Sequence, residues 1–541
     1  MSGERVRDIG QHSRRLLRDL NMLLERVRYA RSPRDAGALE RILRAALADT
    51  TGVVYRHLAL ANGQDVLVTF IDHLVANWRI EDFIIRPLSS IPAGPGSPPL
   101  TLERLANRYI AAGDVKTSFD IDEILDDLLR GDTLVALSGS PGVLVVSTRK
   151  PPARPVSDAQ IEVVARGPRD SFTETAVWNL ALIRRRLVDV NLRTERLVVG
   201  ARSKTAVYLV YIDDVVNRTA LQEMRRRLRA VSIDAVLDSG MLEQLIEDCW
   251  WTPFPQAERT ERPDVVVAAL LEGRLALITD NTPLAIVAPT TFSSLFDSPE
   301  DAYSRPTVVS LLRVTRFVAT GLALSLPALY VAVASYTPAL LPLRLAIKIA
   351  NSREGVALPV VVEALLMQLF LEILREAGFR LPGPIGQTFG VVGGIVIGEF
   401  AVRAGLVSEM MVVVIALTGL ASFTSPSLML GTSIRLLGLP LLLMASVLGI
   451  YGFLLGLAGL LAHLVSLRSL GIPYLVPFAF YPPSDYKDMV LRAPIPAFKQ
   501  RPTFYGPQQR RRAGDRRRDL PDTRAGSVHR AAGVGNRAHG Q

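Results

Sequence analysis

The chain has 541 residues, of which 49% are hydrophobic, and it carries a formal net charge of +10 at pH 7. Most of the basic excess lies beyond residue 498, so it does not indicate a nucleic-acid-binding domain, and we expect no nucleic-acid partner. A single cysteine, Cys249, excludes a disulfide framework within the chain. The six scattered histidines show no metal-binding spacing and no catalytic constellation is recognisable, so we expect no metal, no cofactor and no enzymatic activity.

Residues 1–50 predict an amphipathic helical segment. Apolar residues recur there at helical spacing, among them Leu16, Leu20, Leu23 and Val27, and arginines occupy the other face. Such a helix either packs on its own domain or binds a partner or a membrane surface. No apolar stretch typical of a cleavable signal peptide follows the first residue, so we expect this region to stay in the cytoplasm.

Residues 51–190 and 191–310 predict two α/β lobes in the cytosol. In the first lobe, strands at 53–59 and 66–71 flank a hairpin turn, and a helix at 120–129 precedes two more strands. In the second lobe, strands and helices alternate, which favours an α/β arrangement. The predicted strands there are 196–199, 206–212, 275–278 and 284–287, and the predicted helices are 218–229, 241–247 and 263–271.

Residues 311–480 predict a helical multi-pass membrane domain, because a helix needs about 20 apolar residues to cross a bilayer core. The apolar stretches lie at about 317–336, 356–374, 386–401, 409–423 and 436–466. A basic tail and an N-terminal region without a signal place both chain ends in the cytoplasm, which requires an even number of crossings. We therefore expect four spans and one partial segment, with the second stretch as the partial one.

The second stretch carries Glu363, Gln368 and Glu372, and carboxylates are costly in a lipid-facing helix. Gln368 and Glu372 share one helix face, whereas Glu363 lies on roughly the opposite side. Two interpretations stay open. Glu372 pairs with Arg375 at the membrane edge, or one of the two carboxylates belongs to a ring that lines a cation pore formed by several copies.

The third stretch contains Gly390, Gly394 and Gly398 at a spacing that lets helices approach closely. Glu399 follows them and either pairs with Arg403 one turn later or contributes to a pore.

Residues 481–541 are rich in proline, arginine and glycine, and we expect a basic, largely disordered tail, with the disorder mostly beyond Arg510. Its arginine-rich end beyond Arg510 suits anionic lipid, a weaker hypothesis for its role.

The stretch before the second lobe reads Gly167-Pro-Arg-Asp-Ser-Phe-Thr-Glu-Thr-Ala-Val-Trp-Asn-Leu-Ala-Leu-Ile-Arg-Arg-Arg186. We expect a loop that enters a helix, with Thr173 as the N-cap. The helix either links the lobes while its arginines pair with neighbouring acids, or it forms a coupling or subunit-contact element. The candidate residues are Arg169, Glu174, Arg184, Arg185 and Arg186.

This stretch resembles the pattern of the A subunits of spore germinant receptors, and further matching segments follow in order. They are 251–256, 261–264, 270–274, 280–283, 352–355, 363–366, 375–378, 381–384 and 471–474. The resemblance covers roughly residues 20–505. One departure is Phe480, where the family usually has proline.

The resemblance implies an A-type subunit in the inner membrane of the endospore. Such subunits work with a transporter-like B subunit and a lipoprotein C subunit, and they are thought to form homo-oligomeric channels that release cations when germinant binds. Stage V sporulation protein AF is a similar protein that amplifies the response. A secondary transporter and a non-conducting membrane scaffold are the remaining alternatives.

Overall fold

The computed structural model describes residues 32–91, 100–149, 166–380, 398–478 and 485–512, apart from residues 49 and 62 and together with residues 162, 164 and 394. The helix predicted around Leu16 to Val27, the glycine at 390 and most of the third apolar stretch lie outside the described residues. So does the tail beyond residue 512.

The first lobe is a five-stranded antiparallel sheet with helices on both faces. Its strands are β1 (Val53–Ala59), β2 (Asp65–Ile71), β3 (Val115–Ser118), β4 (Thr133–Leu137) and β5 (Val143–Val146), in the order β1-β2-β4-β5-β3. Its helices are α1 (Ala36–Ala46), α2 (Asn77–Ile80), α3 (Arg86–Ser89), α4 (Leu102–Arg108) and α5 (Ile121–Leu129), and a π-helical segment, Glu81–Ile85, joins α2 to α3. Every residue of β4 is buried, because both faces of the sheet are covered.

The second lobe repeats this topology. Its strands are β6 (Leu192–Val199), β7 (Thr205–Ile212), β8 (Glu258–Thr260), β9 (Leu275–Thr279) and β10 (Ala285–Ala288), in the order β6-β7-β9-β10-β8. Its helices are α6 (Ala176–Arg186), α7 (Arg218–Ala230), α8 (Ser239–Ile246) and α9 (Pro263–Leu271). The apolar side chains of α6 pack on this second sheet, although the sequence suggests a boundary after α6. The predicted α/β class of both lobes is confirmed.

A helical region follows the lobes. Its described helices are α10 (Pro306–Tyr336), α11 (Leu343–Ser352), α12 (Val360–Arg380), α13 (Glu409–Ser422) and α14 (Leu428–Ser466). By length and composition, α10 and α14 could each cross a membrane, and α13 is apolar but shorter. The strands β11 (Arg468–Ser469) and β12 (Ile472–Pro473) then return the chain to the second lobe.

The helix α14 folds back on itself at Gly449, which has φ = 59° and non-helical geometry. A Cβ placed on Gly456 would lie 2.7 Å from Cδ1 of Leu441, a contact that a straight helix would not allow over 15 residues. We call residues 428–448 and 450–466 the first and second arms of this hairpin. The last predicted apolar stretch therefore holds parts of two antiparallel helices where the sequence suggested one, because glycine alone adopts this turn without strain.

The helical region has one end at the second lobe and one far from it. At the far end, the Tyr336 hydroxyl bonds the Ser446 carbonyl, and Gly449 lies against the Tyr336 ring. At the lobe end, Ser433 of the first arm and His463 of the second arm both contact residues 252–253. The chain therefore enters the helical region with α10 and leaves it with α14 at the same end.

Candidate functional site

The N-cap of α6 differs from the one predicted from the sequence, Thr173. Thr175, not Thr173, is the N-cap residue, and Asp280 of the second lobe accepts a hydrogen bond from Ala176 N at 3.0 Å. The Thr173 N–H donates to Asn179 Oδ1 at 2.8 Å, while the Asn179 amide donates back to the Thr173 carbonyl at 2.6 Å. The Asn179 side chain thus fixes Thr173 outside the helix, and α6 begins where an acid from the second lobe caps it.

The three arginines at the end of α6 have different surroundings. Arg185 and Arg186 both pair with Asp170, as one interpretation of the sequence expected. Arg184 is buried and its Nη2 donates to Thr194 Oγ1 at 3.4 Å, with no carboxylate within ion-pair distance among the residues that the structure describes. Burial and the neighbouring Arg193 lower the pKa of Arg184 to about 10. Arg169 and Glu174 are exposed on the loop.

Contacts around Arg184 join the two lobes. The Thr51 hydroxyl donates to the Thr194 carbonyl at 2.6 Å, and Arg193 donates to the Ala46 carbonyl at 3.1 Å. Ala181 of α6 packs against the core of the first lobe. The helix α6 thus contacts both lobes. Its role as a coupling element remains a prediction.

Glu363 is buried inside the helical region, where polar groups surround its carboxylate. Its side chain is fully buried and accepts hydrogen bonds from the N–H and the hydroxyl of Ser408, both at 2.9 Å. Arg353 completes the site with an ion pair of 3.3 Å. In the single chain, this carboxylate therefore holds the start of α13 against α12, and among the residues that the structure describes it faces no open channel.

The other polar candidates lie near the surface. Glu372 is exposed and pairs with Arg375 at 2.9 Å, whereas Gln368 is half-buried one turn earlier. Glu399 is exposed and pairs with Arg403. The sequence correctly separated Glu363 from Glu372, because the former is enclosed and the latter faces outward.

The glycines of the third stretch make no close helix contact within the described part of the chain. Gly394 has no neighbouring atom within 4 Å of a Cβ position, and Gly398 has only Val412 Cγ1 at 3.8 Å. The intimate helix contact is instead between α10 and α14, where Gly438 would place a Cβ 3.6 Å from the Leu324 carbonyl oxygen. Close helix packing through Gly390, Gly394 and Gly398 stays a prediction, since Gly390 and most of this stretch lie outside the described residues.

An arginine at the start of α10, which the sequence did not single out, fastens the lobe end of the helical region. Arg313 is 1% exposed and forms ion pairs with Asp297 at 2.8 Å, Asp301 at 3.0 Å and Asp488 at 2.9 Å. Arg316 also binds Asp301, at 2.8 Å. We call these five residues the Arg313 cluster. Arg313 precedes the predicted stretch 317–336, and nothing local in the sequence indicates partners as distant as Asp488.

The loop of residues 251–256 is the second contact between the lobes and the helices. The Thr252 hydroxyl lies 2.9 Å from His463 Nε2, and the Ser433 hydroxyl donates to the Pro253 carbonyl. Phe254 is buried in the core of the helical region, and the Tyr474 hydroxyl donates to the Pro255 carbonyl at 2.8 Å. One loop of the second lobe thus holds both arms of the hairpin.

Residues 485–512, which we call the C-terminal strap, form a third contact. Arg501 donates to the Leu271 carbonyl at 2.6 Å, and Arg512 pairs with Glu272 at 2.8 Å. Asn217 donates to the Tyr505 carbonyl at 2.8 Å. This part of the tail therefore binds the second lobe through partners that the local composition does not reveal. The disorder expected mainly beyond Arg510 falls almost entirely on residues outside the described part of the chain.

Comparison with known proteins identifies the family. The family described as "Bacillus/Clostridium GerA spore germination protein" matches residues 41–504 of this chain. The chain belongs to the GerA spore germination protein family. It is 36% identical to spore germination protein KA of Bacillus subtilis over 90% of this chain and 89% of that protein. It is 37% identical to spore germination protein GerLA of Bacillus cereus over 85% of this chain and 94% of that protein.

Two further proteins are similar to this chain. The uncharacterized membrane protein YfkQ of B. subtilis is 37% identical over 84% of this GerA-family chain and 88% of its own length. A solved structure, the N-terminal domain of the A subunit of the Bacillus megaterium spore germinant receptor GerK3, is 30% identical, with a TM-score of 0.39. It covers 49% of this chain and 98% of that chain.

The motifs that suggested the GerA family meet in space. The loop entering α6 contacts segment 261–264, since Phe172 N donates to the Glu261 carbonyl at 2.7 Å, and Asp280 caps α6. The loop 251–256 contacts Tyr474 of the motif that follows the hairpin. Arg353 of segment 352–355 pairs with Glu363. Several of these segments thus lie where separate parts of the fold join.

Proposed function

We propose that this protein is an A-type subunit of a nutrient germinant receptor that resides in the inner membrane of the endospore. It acts with a transporter-like B subunit and a lipoprotein C subunit, and it is not an enzyme. Membership of the GerA family across residues 41–504 carries this proposal. The relatives bear the names of spore germination proteins, and α10 and α14 are long and apolar enough to cross a bilayer.

The arrangement of the helices supports a topology with both chain ends in the cytoplasm. The helical region begins and ends at the second lobe, since Arg313 at the start of α10 and His463 at the end of α14 both contact lobe-side residues. A membrane domain entered and left from one side crosses an even number of times. The basic residues beyond 498 favour the cytoplasm for that side.

We propose that several copies form a gated cation channel. Glu372 and Glu399 are the candidates for its lining, because both are exposed on the single chain and can face a neighbouring copy. A ring of carboxylates favours cations over anions. Ligand binding to a partner would open the channel by shifting the lobes against the helices, and a preference of a few kcal/mol for the open state suffices.

Recordings from planar lipid bilayers test this proposal. The full chain, purified with its partner subunits, is expected to give stepwise cation currents. The double variant Glu372→Gln/Glu399→Gln should shift the reversal potential in a salt gradient towards zero. Asp82→Asn is the matched control, since Asp82 forms the same kind of exposed i,i+4 pair with Arg86 but lies on the first lobe.

Electrical silence of the complete assembly would contradict the channel and favour a scaffold. Concentrative uptake of a solute by single copies in liposomes would favour a secondary transporter instead. Currents whose selectivity is the same in the double variant and in wild type would leave the channel standing but remove these two carboxylates from its lining.

A further inference from the structure

Two neighbouring tryptophans are displayed on the outside of the loop that joins the second lobe to the helical hairpin. Trp250 is 84% exposed and Trp251 is 64% exposed. Burying a tryptophan side chain contributes a large hydrophobic stabilisation. Two adjacent indole rings that are exposed to water do not contribute this stabilisation. Their exposure in the single chain therefore points to a surface that something else covers.

Hydrogen bonds fix the backbone next to these tryptophans, so the conformation of the loop itself keeps both side chains exposed. The Gln256 side chain accepts from Asp248 N at 3.0 Å and from Cys249 N at 3.1 Å, and donates to the Cys249 carbonyl at 2.6 Å. The Asp248 carboxylate accepts from Leu470 N at 2.7 Å, and Phe254 is buried on the other side. The loop is anchored before and after the two indoles.

The position of the loop identifies the occupant. The Trp251 ring centroid lies 5.0 Å from that of His463, one turn before the second arm ends at Ser466. At the same level of this arm, but on another side of the helix, Leu461 and Val465 are exposed apolar residues. Arg468, two residues beyond the end of the arm, is exposed. The tryptophans thus lie at the level where the apolar surface of the helices gives way to polar chain.

We propose that Trp250 and Trp251 insert into the headgroup region of a lipid bilayer and fix the height of the second lobe above the membrane. Indole rings combine a large apolar face with one N–H donor, and they concentrate at membrane–water interfaces for that reason. Trp251 lies at the end of the second arm, whose exposed apolar residues at the same level also need an apolar covering, and one lipid surface around the arm supplies both. The inference rests on the membrane residence proposed above.

Tryptophan fluorescence in vesicles tests the contact. The full chain has four tryptophans, Trp78, Trp178, Trp250 and Trp251, and Trp→Phe substitutions leave one at a time. Each variant is placed in phosphatidylcholine–phosphatidylglycerol vesicles whose acyl chains are brominated near the headgroup. The variants that keep only Trp250 or only Trp251 should lose most of their emission relative to unbrominated vesicles. Trp78, which is also exposed but lies on the first lobe, is the matched control and should be quenched by aqueous acrylamide alone.

Three results would decide the question. Quenching of Trp250 and Trp251 by bromolipid supports the proposal. Quenching by acrylamide only, as for Trp78, overturns it because the indoles then face water. Protection from both quenchers also overturns it, since protein, a second copy or a partner, then covers them. If a variant fails to fold, the unsubstituted chain is labelled with fluorotryptophan. Broadening of the fluorine NMR signal of each tryptophan by spin-labelled lipid then gives the same comparison.

Extraction with carbonate separates this inference from the proposed function. A chain that leaves the vesicles in carbonate is not an integral membrane protein, and both proposals then fail. A chain that stays in the vesicles while Trp250 and Trp251 face water retains its proposed membrane residence and loses only the contact inferred here.

Discussion

At the scale of single residues, the buried carboxylate of Glu363 shows how a charge inside the helical region is compensated. Two donors from Ser408 and the guanidinium of Arg353 surround it. Removing one partner of such a buried pair costs more than the pair contributes, because the remaining charge is left without compensation. Glu363 therefore serves the integrity of the fold in the single chain.

Replacing Glu363 by glutamine should loosen the start of α13. The substitution removes the negative charge that faces Arg353 and weakens the hydrogen bonds to Ser408, at a cost of about 1–3 kcal/mol. Hydrogen exchange of the amides at the start of α13 in the detergent-solubilised full chain measures the effect. Glu354→Gln, which changes an exposed carboxylate close by in the sequence, is the control and should leave exchange unchanged. Equal protection of these amides in both variants would contradict the conclusion that Glu363 holds the start of α13.

His57 predicts a pH-dependent contact in the first lobe. It bridges Glu40 of α1 and Asp65 of β2, at 2.7 Å in both cases. Hydrogen bonds to Glu40 and then Asp65 raise the pKa of His57 above its ordinary value. The bridge therefore contributes stability that is fully present below the unfolded pKa of about 6.5 and is lost as the pH rises through the folded pKa.

Hydrogen exchange of α1, corrected for intrinsic rates, tests the His57 bridge. Protection of α1 should fall as the pH rises from 6 towards 8, and His57→Gln should remove that dependence. The only other histidine of the first lobe, His73, stays neutral in this range because burial and then Arg184 lower its pKa to about 3. A pH dependence that persists in the variant would assign the titration to another group.

At the scale of elements, the hairpin α14 marks the limit of what hydrophobic patterning predicts. The apolar run is evident from composition, yet nothing local separates Gly449 from Gly438, Gly452 or Gly456 as the turning point. The turn is decided by tertiary contacts, since Gly449 packs against Tyr336 of α10 and the arms contact one loop of the second lobe. Several short elements of the lobes, such as β4, β5 and α5, were predictable because turn or capping residues flank them, whereas β3 and β8 were not predicted.

The candidate site was predictable to a similar degree. Helical spacing separated the faces of Glu363 and Glu372. The pairs of Glu372 with Arg375 and of Glu399 with Arg403 were one of two interpretations that the sequence left open, and the structure of the single chain contains both pairs. The Arg313 cluster was not predictable, because Asp488 reaches Arg313 from 175 residues away. Burial of Glu363 by Ser408 likewise depends on packing between helices that the sequence leaves open.

Cysteine cross-linking tests the hairpin. In a Cys249→Ser background, Leu441→Cys and Gly456→Cys should form a disulfide on mild oxidation, because a Cβ on Gly456 lies 3.9 Å from the Leu441 Cα. The control pair Val447→Cys and Leu461→Cys has nearly the same sequence separation but lies at different levels of the two arms, and it should not cross-link. Cross-linking of neither pair in a folded chain would indicate one straight helix.

At the scale of the whole molecule, the second lobe and the helical region share one hydrophobic core. Phe254, Leu295 and Phe296 from the lobe pack with residues of α10, α12, α13 and α14, and Tyr474 joins them from beyond the hairpin. The Phe296 ring stacks on Phe317 of α10 with centroids 4.0 Å apart. The shared core joins the second lobe directly to the first and last helices, which is the contact that the proposed gating requires.

The C-terminal strap closes this junction from outside, and shortening the chain tests its contribution. A chain that ends after residue 484 loses Asp488, the partner of Arg313, and Tyr505, whose ring lies 5.3 Å from the Arg274 guanidinium carbon. Loss of one carboxylate from a buried charged group costs up to about 3–5 kcal/mol, reduced here because Asp297 and Asp301 remain. We expect faster hydrogen exchange in the first turns of α10 and at the end of α9.

A chain that ends after residue 512 keeps the whole strap and is the matched control, so its exchange should equal that of the full chain. Asp488→Asn isolates the ion pair from the rest of the strap and should reproduce the effect on α10 while leaving α9 unchanged, because α9 is held by Arg501 through the Leu271 carbonyl. If α10 exchanges equally in all three shortened or substituted chains, the strap does not fasten the first helix to the lobe, and the coupling must rest on the 251–256 loop and the shared core.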